Sequence, residues 1–249
     1  MIIGATAYRI WITDSRQTED IDLSVSLDLD DFAQLGARLT QRGWQQDARR
    51  EHRWYSPARV RVDLLPAGPR LRAEGRIQWP ASQMTMRLLG FEHVFQASLP
   101  VPIGTDLTVK VVPVTVFTLL KIVAWLDARE ARRKDLQDLG NVLSRYELDS
   151  EKRFCDEVFD AKLGFDEAGA FLLGQDLRSL CTREESVAVV EFIGMMRNSD
   201  AAPFRHFVGG ISAAAMSGVE GKEEAGSRLL EAFALGFSGL SSERRAIST

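Results

Sequence analysis

Two carboxylates stand two residues apart at the start of a segment in which apolar and polar side chains alternate. Asp20 and Asp22 open this segment, and the alternation continues from Ile21 to Leu27. A period of two is typical of a half-buried β-strand, and it places both carboxylates on the same face of that strand. Neighbouring carboxylates repel each other unless a cation lies between them. The segment therefore predicts a β-sheet with an acidic pair on one face, suited to a hard divalent ion that prefers oxygen ligands.

A third carboxylate lies in the clearest alternating segment of the chain, Arg59 to Leu65. Asp63 has an aliphatic residue on each side in this predicted strand. A carboxylate among core aliphatic residues is costly to bury unless it meets a cation or lies at the exposed end of its strand. Two interpretations stay open: Asp63 completes a metal site with the acidic pair, or it forms an ordinary ion pair with Arg53 or Arg61.

The order of the predicted elements divides the chain into two parts. Strand and helix patterns alternate up to about residue 112, and from residue 113 onward apolar residues recur at helical spacing. We therefore predict an α+β fold, with a mixed α/β head (residues 1–112) followed by an all-α lobe (residues 113–249). The chain has 249 residues, of which 45% are hydrophobic, so a substantial core can form.

Two segments are predicted to be irregular. Residues 67–80 are rich in Gly, Pro and Arg, which is typical of a loop, and residues 201–221 are rich in Gly, Ala and Ser, which is typical of a flexible connector. Residues 84–96 fit neither a helix pattern nor a strand pattern, so their structure is left open.

The formal net charge is -4, so the chain as a whole does not attract nucleic acid, and RNA binding would need a local basic patch. Such a patch is indicated around the predicted strand of Asp63. The arginines concentrated there are Arg49, Arg50, Arg53, Arg59, Arg61, Arg70, Arg72 and Arg76. They are either a solvated charged face or a platform for the phosphate backbone of an RNA acceptor.

Cysteine use and hydropathy favour a cytoplasmic protein. The chain has two cysteines, too few for a disulfide framework, as suits a reducing compartment. No apolar run approaches the length of about 20 residues that a membrane-spanning helix needs. We therefore expect no membrane attachment.

A small-residue segment, Gly4-Ala5-Thr6, stands ahead of the acidic pair. Small residues let the backbone approach a phosphate closely, and a hydroxyl near a helix N-terminus lies where partial positive charge favours anions. Alone, such a segment is typical of a plain turn, and a lone Asp-x-Asp is typical of solvated surface charge or of a helix cap. Together with a third carboxylate they match what nucleotidyl transfer requires, namely converging ligands for divalent ions and a cradle for a triphosphate.

Four segments follow one another along the chain, and their order is more informative than any one of them alone. They are Ile3-Gly4-Ala5-Thr6-Ala7, then Thr18-Glu19-Asp20-Ile21-Asp22-Leu23, then Val62-Asp63-Leu64-Leu65, and finally residues 119–125 together with 133–139. This order resembles the nucleotidyltransferase superfamily and, more narrowly, its AbiEii/AbiGii toxin-type branch. The resemblance covers residues 1–146 and implies a small mixed β-sheet with flanking helices.

The resemblance implies roles for the residues of the head. Asp20, Asp22 and Asp63 correspond to metal ligands, and Asp63 also corresponds to the base that accepts a proton from the incoming hydroxyl. The segment from Gly4 through Ala5 to Thr6 corresponds to the part that lies near the triphosphate.

The resemblance also extends to a distal group of residues. It implies that Lys121 and Lys134 contact phosphates or support the site, with Asp135 nearby. An alternative stays open, because Asp135 and Asp138 lie three residues apart on a predicted helix beside basic residues. That pattern is equally typical of a solvated helix face with salt bridges.

The implied reaction moves an NMP group from an NTP to a hydroxyl and releases pyrophosphate, with Mg2+ or Mn2+ as cofactor. The implied acceptor is an RNA end, such as that of a tRNA, or a protein side chain, and the implied partner is an antitoxin protein. Two alternatives are a nucleotidyltransferase that modifies a small molecule of the antibiotic type, and a catalytically inactive module that keeps the fold for binding.

Overall fold

The structure is a computed structural model that describes residues 1–12, 18–216 and 219–239. The chain forms two compact units, Met1–Leu120 and Lys121–Thr249, and the division falls inside the helix Val114–Asp127. The predicted domain boundary between residues 112 and 113 remains a prediction, because compactness alone does not test whether either part folds independently.

The first unit is built on a mixed β-sheet. Its strands are β1 (Ile2–Ile3), β2 (Asp20–Val25), β3 (Gln45–Gln46), β4 (Arg53–Tyr55), β5 (Arg61–Pro66), β6 (Arg76–Gln78), β7 (Thr85–Arg87), β8 (Leu99–Ile103) and β9 (Leu107–Val111). Among the described residues, seven strands form one sheet in the order β3-β4-β5-β2-β1-β9-β8, and β6 pairs with β7 separately. Strand β2 is antiparallel to β1 and parallel to β5. This sheet, with its flanking helices, confirms the predicted α+β fold class.

The helices of the first unit are α1 (Gly4–Trp11), α2 (Leu29–Gln41), α3 (Pro69–Glu74), α4 (Phe91–Gln96) and the first part of α5 (Val114–Asp127). Helix α1 is held on the sheet by apolar and polar contacts. The ring of Tyr8 stacks on Phe117 with the centroids 4.8 Å apart, and Trp11 Nε1 donates to the carbonyl oxygen of Val112 at 2.7 Å. The buried Ala7 lets the helix lie close to its neighbours. These contacts fix the segment that precedes the acidic pair.

The prediction of a loop over residues 67–80 is wrong, because helix α3 and strand β6 lie within it. Pro69 occupies the first turn of α3, where its missing N–H has no helical partner to lose. Gly75 ends the helix in the left-handed conformation, with φ of +70°. Here Gly and Pro mark the two ends of a short helix rather than an irregular segment.

The described residues of the second unit are helical and contain no strand, in agreement with the predicted all-α lobe. After α5 its helices are α6 (Arg133–Arg145), α7 (Asp156–Asp160), α8 (Phe165–Leu180), α9 (Arg183–Met196), α10 (Ala202–Val208) and α11 (Lys222–Ser238), with 3-10 turns at Glu151–Phe154 and Ala213–Ala215. Helices α8 and α11 pack with close backbone approach, because a Cβ on Gly174 or Gly236 would overlap the backbone of the facing helix. No helix in the described ranges is both long and apolar enough to cross a membrane.

The prediction of a flexible connector over residues 201–221 is wrong for its first part, which forms α10. Phe204 and Phe207 of this helix are almost fully buried, so apolar burial orders a segment whose composition indicated flexibility. Ser217 and Gly218 of the predicted connector lie outside the described residues.

Candidate active site

The pairing of β2 with β5 brings three carboxylates to one place. In this parallel ladder Asp22 is directly opposite Asp63, and Asp20 is directly opposite Arg61. Side chains two residues apart on a strand share a face, so Asp20 and Asp22 both point toward the row that holds Asp63. One carboxylate oxygen from each of the three residues lies within 4.8 Å of the others. The three predicted metal ligands therefore lie together, on two neighbouring strands.

Gly4 lies against this acidic cluster. Strand β1 pairs with β2 so that Ile3 is opposite Asp22, and the chain turns into α1 at Gly4 with φ of +62°. A Cβ on Gly4 would overlap the Asp22 carboxylate. Glycine is thus favoured here twice, by the left-handed backbone and by the contact with Asp22.

The predicted turn over Gly4 to Ala7 is the first turn of α1. Ile3, which precedes the helix, gives no side-chain hydrogen bond to this turn, whose N–H groups have no helical acceptor. Ala5 is buried. The Thr6 hydroxyl donates to the carbonyl oxygen of Asp20 at 3.0 Å, which ties α1 to β2. The N-terminus of α1 therefore lies beside the carboxylates and favours negative charge.

Two arginines neutralise part of the acidic cluster. Arg53, on β4, is directly opposite Asp63, and its Nε and Nη2 atoms donate to the two oxygens of Asp63 at 2.8 and 2.7 Å. Arg61 Nη2 donates to Asp20 Oδ2 at 2.8 Å. Asp63 therefore belongs to the carboxylate cluster and also forms the ion pair with Arg53 that the sequence left as its alternative.

Hydrogen bonding and a neighbouring charge favour the ionised form of Asp20. Burial raises the pKa of Asp20, but the hydrogen bond from Thr18 and the charge of Arg61 outweigh it, so the pKa of Asp20 is below its usual value. The Thr18 hydroxyl donates to Asp20 Oδ1 at 2.5 Å. The hydrogen bonds to Asp63 raise the pKa of Arg53 above its usual value. A carboxylate must be deprotonated to bind a metal ion, so this environment suits cation binding.

A cavity of about 440 Å3 adjoins the cluster. Its lining residues are Thr6, Arg9, Ile10, Thr18, Glu19, Asp20 and Ile21. This volume falls in the range of about 300–1,000 Å3 that is usual for small-molecule sites. Asp20 lines the cavity and belongs to the cluster, and Arg9 contributes an exposed positive charge. A ligand in this cavity would therefore contact both an ionised carboxylate and a cation.

Lys121, Asp135 and Asp138 form a buried ion cluster in the second unit. Lys121 Nζ lies 2.6 Å from Asp135 Oδ1 and 2.8 Å from Asp138 Oδ2. Burial lowers the pKa of Lys121, but the charges of both carboxylates outweigh it and raise that pKa above its usual value. The solvated helix face is therefore the wrong alternative for Asp135 and Asp138, which are buried. Lys134 is exposed on α6.

The assignment of Lys121, Lys134 and Asp135 to nucleotide binding remains a prediction. Sequence reasoning gave no role to Thr18 or Arg9, although both line the cavity. The signal for Thr18 was available, because it stands two residues before Asp20. No comparable local pattern marks Arg9, whose place follows from the packing of α1 on the sheet.

Comparison with known proteins extends over most of the chain. A family model described as "Nucleotidyl transferase AbiEii toxin, Type IV TA system" matches residues 2–186. The match includes the three carboxylates, α1 and the buried cluster around Lys121. No curated protein matches the chain.

Proposed function

This chain belongs to the AbiEii family of nucleotidyl transferase toxins of type IV toxin–antitoxin systems, and from that premise we propose the substrates and the site of its reaction. The protein moves an NMP group from an NTP to a hydroxyl acceptor and releases pyrophosphate. Its activity is held in check by an antitoxin protein. The reaction takes place in the cytoplasm, where the NTP and Mg2+ are both at hand.

The observation that carries this proposal is the convergence of three carboxylates from β2 and β5. Asp20, Asp22 and Asp63 offer only oxygen atoms, the ligands that Mg2+ and Mn2+ prefer. One oxygen from each carboxylate lies within 4.8 Å of the other two, so an ion placed among them would be within reach of all three. The donor set therefore fits a divalent ion.

When bound there, the ion would neutralise charge on the phosphates and help to activate the attacking hydroxyl. The protein's own groups do the rest. The N-terminus of α1, with Gly4, Ala5 and Thr6, binds the triphosphate, since small side chains and helical N–H groups favour phosphate oxygens. Asp63 accepts the proton of the incoming hydroxyl. Lys121, Lys134 and Asp135 support nucleotide binding, as the resemblance implies.

The acceptor we favour is an RNA end, such as that of a tRNA, with a protein side chain as the second choice. The arginines around β5 support this only in part, because several are committed to acidic partners: Arg53 to Asp63, Arg61 to Asp20, Arg70 to Asp28 and Asp30, and Arg72 to Glu92. Among the remaining arginines of this group, Arg49, Arg50, Arg59 and Arg76 are exposed. These four are the available contacts for an RNA backbone.

The test is transfer of label from each α-labelled NTP, with Mg2+, to pools of total RNA, of protein and of small polar molecules. We expect label on RNA and release of pyrophosphate with the native protein, and neither with Asp22→Asn. The control is Asp31→Asn, which removes the same charge from an exposed position on α2 and should leave transfer unchanged. Label on small molecules alone would favour the antibiotic-type alternative, and no transfer to any pool would favour an inactive binding module.

A further inference from the structure

Arg53 lies beside the metal site proposed above, and the role inferred for it rests on that site. Three strands place charged residues in one row across the sheet: Asp22 on β2 is opposite Asp63 on β5, which is opposite Arg53 on β4. Directly opposed residues on one face have Cβ atoms about 4.5–5.5 Å apart. The register therefore holds the Arg53 side chain beside Asp63, and places it one strand further from Asp22.

Arg53 engages Asp63 in the strongest way that an arginine can. Two parallel N–H donors meet the two carboxylate oxygens at 2.8 and 2.7 Å, the bidentate geometry that adds both strength and direction. The pair is largely shielded from water, with side-chain exposures of 12% for Arg53 and 11% for Asp63. Solvent therefore screens this interaction less than it screens a surface ion pair.

A divalent ion and the Arg53 guanidinium compete for the same negative charge. The guanidinium groups of Arg53 and Arg61 offset charge on Asp63 and Asp20, so the positive charge that a divalent ion would bring is already supplied in part by the protein. A carboxylate has lone pairs for more than one partner, but two cations on one small carboxylate repel each other strongly where water is scarce. Arg53 cannot keep both of its hydrogen bonds and leave Asp63 fully available to the ion.

We propose that Arg53 is a built-in competitor for the divalent ion, which holds Asp63 in the metal-free protein and gives up at least one of its oxygens when the ion binds. This competition weakens the binding of a free ion. An NTP is negatively charged, so its phosphates offset the positive charge that the ion adds to the cluster. The ion is therefore favoured to bind together with the nucleotide. Arg53 is thus a positioning residue that couples metal binding to nucleotide binding.

The experiment measures the dissociation constant of Mn2+ for the full chain, without nucleotide, from the electron paramagnetic resonance signal of the free ion. Relative to the native protein, Arg53→Gln should bind Mn2+ about tenfold more tightly, the lower end of what a hydrogen bond to a charged group is worth. Arg53→Lys keeps the positive charge but cannot form the two parallel hydrogen bonds to Asp63, so its affinity for Mn2+ should increase by less. Arg38→Gln removes the same charge from an exposed position on α2 and should bind Mn2+ as the native protein does.

Loss of a buried partner can destabilise the metal-free protein, so thermal unfolding is measured for each variant with and without Mn2+. The melting temperature of Arg53→Gln should rise more on addition of Mn2+ than that of the native protein. If Arg53→Gln does not fold without metal, the Mn2+ affinity of Arg53→Lys decides. Unchanged or weaker Mn2+ binding by the folded variants would overturn the competition while leaving the metal site intact. If the native protein shows no Mn2+ binding that Asp22→Asn abolishes, the metal site itself fails, and this inference fails with it.

Discussion

Replacing Gly4 with alanine should disable the metal site, whereas the same change at Gly75 should only lower stability. Both residues have left-handed backbones, with φ of +62° and +70°, where an L side chain costs about 1–2 kcal/mol. Their surroundings differ. A Cβ on Gly75 would meet nothing within 4 Å in the described structure, whereas a Cβ on Gly4 would overlap the Asp22 carboxylate. The pair of variants therefore separates the backbone cost from the cost of displacing Asp22.

The expected magnitudes follow from this difference. Gly75→Ala should lower the free energy of unfolding by about 1–2 kcal/mol, the backbone cost alone. Gly4→Ala adds the cost of forcing a side chain into filled space, about 1–3 kcal/mol, for a total of about 2–5 kcal/mol. Since Asp22 must also move away from the other carboxylates, the affinity for Mn2+ should fall in Gly4→Ala and stay unchanged in Gly75→Ala.

Urea unfolding followed by tryptophan fluorescence gives the two free energies, and a Mn2+ titration gives the two affinities. The reasoning is refuted if Gly4→Ala loses no more stability than Gly75→Ala and binds Mn2+ as tightly as the native protein. That result would mean that α1 does not approach Asp22 as closely as described.

Three further predictions concern the ion cluster around Lys121 and the half-buried thiol of Cys181. Lys121→Met should lower the free energy of unfolding by about 3 kcal/mol, the lower end of the cost of breaking a buried ion pair. Both buried carboxylates lose the ammonium group, but Asp135 keeps its contact with Arg132. Lys134→Met at an exposed position should change the free energy of unfolding by less than about 0.5 kcal/mol, and urea unfolding measures both. The pKa of Lys121 is raised in the folded protein, so its contribution to the free energy of unfolding is fully present below the unfolded pKa of about 10.4 and is lost as the pH rises through the folded pKa. The difference in stability between the native protein and Lys121→Met should therefore narrow only in strongly alkaline solution. A difference that narrows near neutral pH would contradict this. Burial, and then the charge of Glu185, raise the pKa of Cys181 to about 12, so iodoacetamide near pH 8 should modify Cys181 slowly in the native protein and quickly in urea, as mass spectrometry of the labelled peptide would show.

The strands that carry the candidate site could be predicted because their signal is local. Alternation over residues 21–27 and 59–65 fixes which side chains share a face, and β2 and β5 form there. The pairing of these strands could not be read from the pattern. A shift of one residue in the ladder would put Asp63 on the opposite face from Asp22, and no residue near either strand specifies the register. The resemblance implied only that Asp20, Asp22 and Asp63 share one site.

The errors arose where tertiary packing overrides composition. Helix α10 forms in a segment rich in small residues because Phe204 and Phe207 are buried there. Helix α3 forms between Gly68 and Gly75, in a segment whose Gly and Pro content indicated a loop. Whether Asp135 is buried or solvated could not be predicted for the same reason. A spacing of three residues on a helix is found on solvated and on buried faces alike, and only the packing of Lys121 against Asp135 distinguishes the two.

The central claim is that three carboxylates together bind a divalent ion. Anomalous diffraction from crystals soaked with Mn2+ and a non-hydrolysable NTP tests this most directly. We expect an anomalous peak from a Mn2+ ion that Asp20, Asp22 and Asp63 coordinate, with the triphosphate at the N-terminus of α1. Mn2+ bound elsewhere, or a nucleotide bound with no metal at these carboxylates, would contradict it.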